Sequence, residues 1–256
     1  MNTNNMTYNR IISLVPSLTE LLIDLGLQEK IVGRTRFCVH PEETVENIPI
    51  IGGTKNPRVE KILDLNPDFI LANKEENRKQ DVRVLQDKSS AHVELTDIST
   101  IEEALTTIFQ LGAQLGVEEK AAHLVQKINA VLAQRPKTDP LRTVYFIWKA
   151  PWMTVGGDTY IHDVMGYWRL ENIFGGDKRY PAIELNQLEK RNPELILLSS
   201  EPYPFREKHV RPVQKACPDA RIILVEGQWF SWYGSRMLTA FEQLNHWREA
   251  ISQESG

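Results

Sequence analysis

Residues Asn66–Leu71 read NPDFIL, and Asn192–Leu197 read NPELIL. The likeness extends upstream. GGTKNPRVEKILDLNPDFIL starts at Gly52, and GGDKRYPAIELNQLEKRNPELIL starts at Gly175. Each copy has a Gly-Gly turn, a polar stretch with a proline, an acidic residue, a short helical segment and Asn-Pro, and then an apolar run. Asn-Pro stops the helix, because the residue before proline is pushed out of the α region. FILA and LILL then read as strands buried on both faces, as in a parallel sheet.

The segments before the Gly-Gly turns also correspond. RIISLVPS from Arg10 and RTVYFIWKAPW from Arg142 are strands that end in proline-containing loops. SLTELLIDLGL from Ser17 and DTYIHDVMGYW from Asp158 are helices. Ser17 and Glu20 have capping-box spacing, and Gly26–Leu27 reads as a helix C-cap. KIVGRTR and ENIFGGD follow as further short segments. Each half is therefore β–α–β–α–β, an α/β lobe with a mostly parallel sheet. The shared order of several signals favours duplication over chance recurrence.

Between the halves, Val117–Gln134 carries Ala121, Leu124, Val125, Ile128 and Leu132 at helical spacing. The expectation is two similar three-layer α/β lobes, residues 1–115 and 137–256, joined by one long rigid helix at 116–136. A stiff link leaves a ligand cleft between the lobes, since open α/β sheets bind ligands beyond the carboxyl ends of their strands.

Composition narrows the function. The 256 residues carry a net charge of -4, with 41% hydrophobic and 25% charged residues, as in an ordinary globular protein. Such a charge gives no basic footprint for nucleic acid. Two cysteines, Cys38 and Cys217, do not make a disulfide framework. The opening MNTNNMTYNRIISLVPS lacks the basic start and the apolar run of about 7–15 residues that an export signal needs. No stretch approaches the ~20 apolar residues of a membrane span, so membrane insertion is not expected.

Five of the six tryptophans, Trp148, Trp152, Trp168, Trp229 and Trp232, lie between the connecting helix and the last one. All but Trp168 fall in strand-end loops, beside Tyr180, Tyr203, Phe205, Phe230 and Tyr233. Aromatics there can stack on a large flat ligand or pack the loops against one another. Other chemistry is thin. Cys38 and His40 in FCVHP would face one side of a strand, but two ligands fall short of a closed zinc site. WYGSR lacks the GxSxG elbow, and neither VGGD nor FGGD continues as a P-loop. NKEENRKQD, from Asn73, reads as a solvated helix start. No enzyme and no catalytic cofactor are expected.

RIISLVPSLTELLIDLGL, KIVGRTRFCVHPEE, VEKILDLNPDFILA and QWFSWYGSR occur in family order over nearly the whole chain. Together they resemble the cobalamin- and siderophore-type substrate-binding proteins of ABC importers, the helical-backbone class of periplasmic binding proteins. The spacing is most similar to the cobalamin branch. The resemblance implies a monomer that holds a metal-bearing chelate, cobalamin or a related corrinoid, in the interlobe cleft and delivers it to an importer permease. It places Pro16, Ser17, Phe37, Cys38, Asn73 and Lys74 at the ligand from the first lobe. From the second lobe it places Trp152, Tyr180, Trp229, Phe230 and Arg236, with Trp148, Tyr203 and Trp232 in the same aromatic loops. Arg236, behind Ser235 as N-cap, would hold an anionic or amide oxygen. An aromatic common after the third strand is absent at Asn73 and Lys74. Transporter docking maps to Glu60 and to Asn186, which is neutral where an acid is usual.

Two other readings stay open. Lys74, Lys149, Arg179 and Arg236 also suit a ferric siderophore, and the fold accepts heme. The lack of an export signal leaves a cytoplasmic tetrapyrrole- or metal-handling protein as a third, although the resemblance implies an extracytoplasmic one.

Overall fold

In the computed structural model, which describes residues 7–253, both Asn-Pro elements end a helix in the same way. Asn66 and Asn192 take left-handed conformations, with φ of 44° and 47°. Asparagine tolerates that region better than most residues. The acid that follows the proline then clamps the neighbouring strand. The Asp68 carboxylate accepts the backbone N–H groups of Asn9 (2.8 Å) and Arg10 (2.9 Å), and Glu194 accepts that of Arg142 (2.8 Å). The arginines return the contact. Arg10 donates to the carbonyls of Leu65 and Asn66, and Arg142 to those of Arg191 and Asn192. Each helix thus has its last carbonyls satisfied by a guanidinium at the start of the adjacent strand. Residues 1–6, the beginning of the stretch read for an export signal, lie outside the described residues.

The chain divides into two units. The first runs up to Ile98 and includes Glu102–Ile128 and Tyr233–Arg236; the second comprises Ser99–Ile101, Asn129–Trp232 and the chain from Met237 on. The first unit's elements are β1 (Ile11–Ser13), α1 (Pro16–Asp24), β2 (Ile31–Arg34), α2 (Glu42–Val45), α3 (Val59–Asp64), β3 (Phe69–Asn73), α4 (Lys79–Lys88), β4 (His92–Thr96) and, from Glu102 on, α5 (Ile101–Leu115). Helix α6 (Glu118–Ala133) passes from first-unit to second-unit residues after Ile128. The second unit then has β5 (Leu141–Phe146), β6 (Trp152–Met153), α7 (Tyr160–Tyr167), β7 (Leu170–Asn172), β8 (Ala182–Ile183), α8 (Leu188–Arg191), β9 (Leu195–Ser199), α9 (Val210–Ala216), β10 (Arg221–Val225), α10 (Gln228–Ser231) and α11 (Met237–Gln253).

Each unit has a parallel four-stranded sheet, in the orders β2-β1-β3-β4 and β10-β9-β5-β7. The expected pattern is extended by a fourth strand, β4 or β10. The second unit also carries a short antiparallel pair, β6–β8. The central strands β3 and β9 are buried at all five positions, which is why FILA and LILL show no alternation. In the first unit, Ile12, Leu14, Ile70 and Ala72 pack with Ile62 of α3 and with Val82 and Leu85 of α4. The opposite face meets α1, where Thr19 donates to the Ser13 hydroxyl at 2.7 Å. In the second unit, Val144, Phe146, Ile196 and Leu198 pack with Leu188 and Val213. Tyr145, on the other face, packs on Phe230 of α10. Each sheet therefore has helices on both faces. Among the described residues no helix is long and apolar enough to cross a membrane.

Gly26 ends α1 at φ 82°, and the N–H groups of Gly26 and Leu27 reach the carbonyls of Ile23 and Leu22, a Schellman motif. The capping box at the other end does not form. Pro16 takes the first helical position, where its fixed φ suits the helix, and Val15 becomes the N-cap without a side-chain bond. Ser17 lies two residues past the N-cap and so does not cap the helix, and Glu20 finds a different partner.

Candidate functional site

The carboxyl edge of the second unit's sheet carries a graded aromatic cluster. Phe146 and Phe205 belong to the core. Half-buried Trp152 stacks on Phe205 at 5.7 Å and meets Phe146 edge-on at 5.1 Å. Half-buried Tyr203 meets Phe205 at 4.8 Å and Trp148 at 5.5 Å, both edge-on. Trp148 is outermost, at 40% exposure. The backbone fixes it: Met153 N–H donates to the Trp148 carbonyl (3.0 Å), and Tyr203 N–H to that of Ile147 (3.3 Å). Edge-to-face pairs each contribute about 0.5–1.5 kcal/mol beyond burial. The rings are thus both loop packing and a rigid apolar surface that projects from the core. The Lys149 ammonium lies 5.9 Å from the Trp152 ring.

His209 supports this cluster from below. It is 3% exposed, and its Nδ1 accepts the Arg206 N–H at 2.9 Å. The proton of the neutral ring therefore sits on Nε2, 3.3 Å from the Tyr203 hydroxyl. Burial first, then the charges of Lys149, Lys208 and Arg206, hold the imidazole below its ordinary value. An unfolded histidine titrates near ~6.5, so on acidification the unfolded chain takes the proton first. The stabilisation from His209 is complete above ~6.5 and is lost as pH falls through the interval down to the lower folded value. The difference in unfolding free energy between wild type and His209→Gln should shrink from about pH 7.5 to about pH 5. A constant difference would contradict the assignment.

The loops after β9 and β10 are tied together. Ser200 Oγ donates to Glu226 at 2.6 Å and accepts the Gly227 N–H at 2.9 Å. Glu201 accepts from Ser231 Oγ at 2.7 Å and from Trp232 Nε1 at 2.8 Å. Trp229 and Trp232 are half-buried, but Phe230 between them is fully buried against Tyr145 (5.0 Å) and Trp247 (6.2 Å). Phe230 is a core residue. Tyr180 is half-buried, with the Arg179 guanidinium 5.4 Å from its ring.

In the first unit several of the expected ligand contacts are buried and bonded within the protein. Ser17 is buried in α1. Cys38 is buried in a loop, not on a strand, and hydrogen-bonds Thr19 (3.0 Å) and Thr35 (3.2 Å). Burial raises its thiol pKa, and among the described residues no group of three or more metal-ligating side chains exists. His40, two residues on, is half-buried. Asn73 is fully buried; it donates to Thr96 Oγ1 and accepts the Glu75 N–H at 2.8 Å. Asn77, absent from the sequence-based set, ties three loops through Asn73 N, the Leu14 carbonyl and the Thr54 carbonyl. Exposed Lys74 pairs with Asp97 at 2.5 Å. Pro16 is half-buried, and Phe37 is 51% exposed beneath the Arg36 guanidinium.

Arg236 lies just before α11 and grips Glu20 bidentately, at 2.8 and 2.5 Å. Ser235 Oγ is buried without a hydrogen-bond partner and so caps no helix. The side chains of Arg236 and Glu20 are 22% and 11% exposed. Arg236→Met should cost about 2–3 kcal/mol, below the ~3–5 of a fully buried pair because solvent screens it. Adding Glu20→Gln should recover part of that loss in denaturant unfolding. A neutral Arg236→Met combined with lost ligand binding would restore the anchor role.

Glu60 is exposed in the first turn of α3, and Asn186 is exposed in a 3-10 turn at Leu185–Gln187.

Two parallel-sheet units, one with an aromatic cluster at the carboxyl edge of its sheet, are the frame of a known family. Residues 11–217 match the periplasmic binding protein family, and the chain belongs to it. The class is that of ABC-importer substrate-binding proteins, a binding class rather than an enzymatic one. The chain is 29% identical over 201 residues to an uncharacterized ABC transporter substrate-binding lipoprotein of Bacillus subtilis, covering 73% of this chain but only 62% of that protein. It is 27% identical over 249 residues to a vitamin B12-binding protein of Yersinia pestis, covering 92% and 84% of the two chains. Among solved structures, the periplasmic vitamin B12 binding protein of Vibrio cholerae shares the fold with a TM-score of 0.81. It is 24% identical, with 96% and 98% of the chains covered.

Proposed function

We propose that this chain captures cobalamin or a related corrinoid outside the cytoplasm and delivers it to an ABC importer permease. The observation that carries this reading is the graded aromatic cluster Trp148–Tyr203–Trp152, rooted in the core and half open at its tip. A flat, partly apolar macrocycle gains most from a surface that is rigid before binding, because little ordering entropy is then lost. The relatives named for vitamin B12 support the same ligand class. In this reading Trp148, Trp152, Tyr203, Trp229 and Trp232 contact the ligand from the second unit, with Tyr180 at its periphery. Glu60 meets the permease, and neutral Asn186 contributes little to a charge-paired dock.

One observation favours a second reading. The Lys149 ammonium lies 5.9 Å from the Trp152 ring, so a cation stands beside the cluster. A ferric siderophore or heme carries carboxylates or other anionic groups that such a cation would attract. Calorimetry with cyanocobalamin, hemin and a carboxylate siderophore separates the two. Tightest binding of cyanocobalamin, insensitive to salt, supports the corrinoid. Tightest binding of an anionic chelate, weakened by salt, supports the second.

A further inference from the structure

Glu201 lies two residues past β9, and its Oε1 takes both the Ser231 hydroxyl and the Trp232 indole N–H, at 2.7 and 2.8 Å. Its partners come from a different strand-end loop, 30 and 31 residues further on. The two loops meet so closely that position 227 has no room for a side chain. A Cβ there would lie 2.5 Å from both Glu201 Cγ and Ser199 Oγ. The Ser200–Gly227–Glu226 bonds hold the same junction from its other end. The backbone that leads into Trp232 is thus fixed, while the tryptophan's outer torsion has broad, weakly selective wells. A charge-assisted bond to its one polar atom chooses among them.

We propose that Glu201 is a positioning residue for ligand recognition. It holds the N–H edge of Trp232 inward and so turns the ring's face outward as part of the stacking surface. This rests on the functional reading above, in which Trp232 touches the ligand. Carboxylate chemistry suits the role, since an ionised acceptor has no proton to donate and leaves the indole N–H a single orientation.

The test pairs a ligand-free readout with a binding readout. In the wild type the Trp232 indole N–H resonance should sit in a hydrogen-bonded position. Glu201→Leu should move it to the free-indole position, while Glu201→Gln, which keeps an acceptor oxygen, should leave it near the wild-type one. With cyanocobalamin or hemin as probe, Glu201→Leu should weaken binding about tenfold, and Glu201→Gln by less than about threefold. Trp232→Phe removes the donor without touching the carboxylate and should give the same loss as Glu201→Leu. Once phenylalanine stands at 232, Glu201→Leu should cost nothing more. An unmoved resonance in Glu201→Leu, or an equal loss in the Trp232→Phe background, overturns the inference. A wild type that binds neither probe overturns the functional reading instead, and the indole resonance alone then decides whether Glu201 fixes Trp232.

Discussion

Phe230→Ala is expected to destabilise the second unit by about 3–5 kcal/mol, lowering its melting temperature by roughly 10 °C. The ring is fully buried on the face of the sheet opposite the Val144–Phe146 core, against Tyr145 and Trp247. Truncation removes its transfer free energy and leaves a cavity in a layer made of large rings, which relax poorly. Phe230→Leu keeps most of the volume and should cost about 1–2 kcal/mol. Calorimetric unfolding of both variants checks the ranking. A Phe230→Ala protein that melts like the wild type but no longer binds a chelate would return the ring to the ligand surface.

Arg248→Ala should be nearly as costly, about 3–4 kcal/mol. The side chain lies on α11 and is 1% exposed. Its Nε donates to the Trp168 carbonyl at 2.9 Å and its Nη2 to that of Asp139 at 2.5 Å. One guanidinium thus ties the last helix to the segments that enter β5 and β7. Burial lowers its pKa, but arginine starts so high that it stays charged. Alanine would strand the buried Trp168 carbonyl and open a void. Arg248→Met fills the void but not the hydrogen bonds, and should cost about 2 kcal/mol. Equal losses for the two would mean that packing, not hydrogen bonding, holds α11 there.

The frame was legible in the sequence because its signals are local. Asn-Pro stops a helix whatever surrounds it, and an unbroken FILA or LILL has to be buried on both faces. The partner of the acid after Asn-Pro was not legible. Asp68 reaches Arg10, 58 residues away, and Glu194 reaches Arg142, 52 residues away. The same limit hid the partner of Arg236, since Glu20 is 216 residues away. Ser17 and Glu20 had the right spacing for a cap, but Pro16 moved the helix start. Within QWFS of α10, four residues are too few for a helical period to separate the half-buried Trp229 from the buried Phe230. Asn73 ends β3 and Cys38 lies in the loop after β2, where position alone does not distinguish a ligand contact from a bond that closes the loop. Glu201 left no signal at all, because its task depends on where two loops meet.

The most direct test of the central claim is gel filtration of the purified protein mixed with excess cyanocobalamin, following the corrinoid's visible absorbance. Absorbance should comigrate with the protein at one ligand per chain and be lost when Trp148 and Trp152 are both replaced by alanine. Absorbance that elutes only with free ligand, from a protein that also fails to retain hemin or a ferric siderophore, would contradict it.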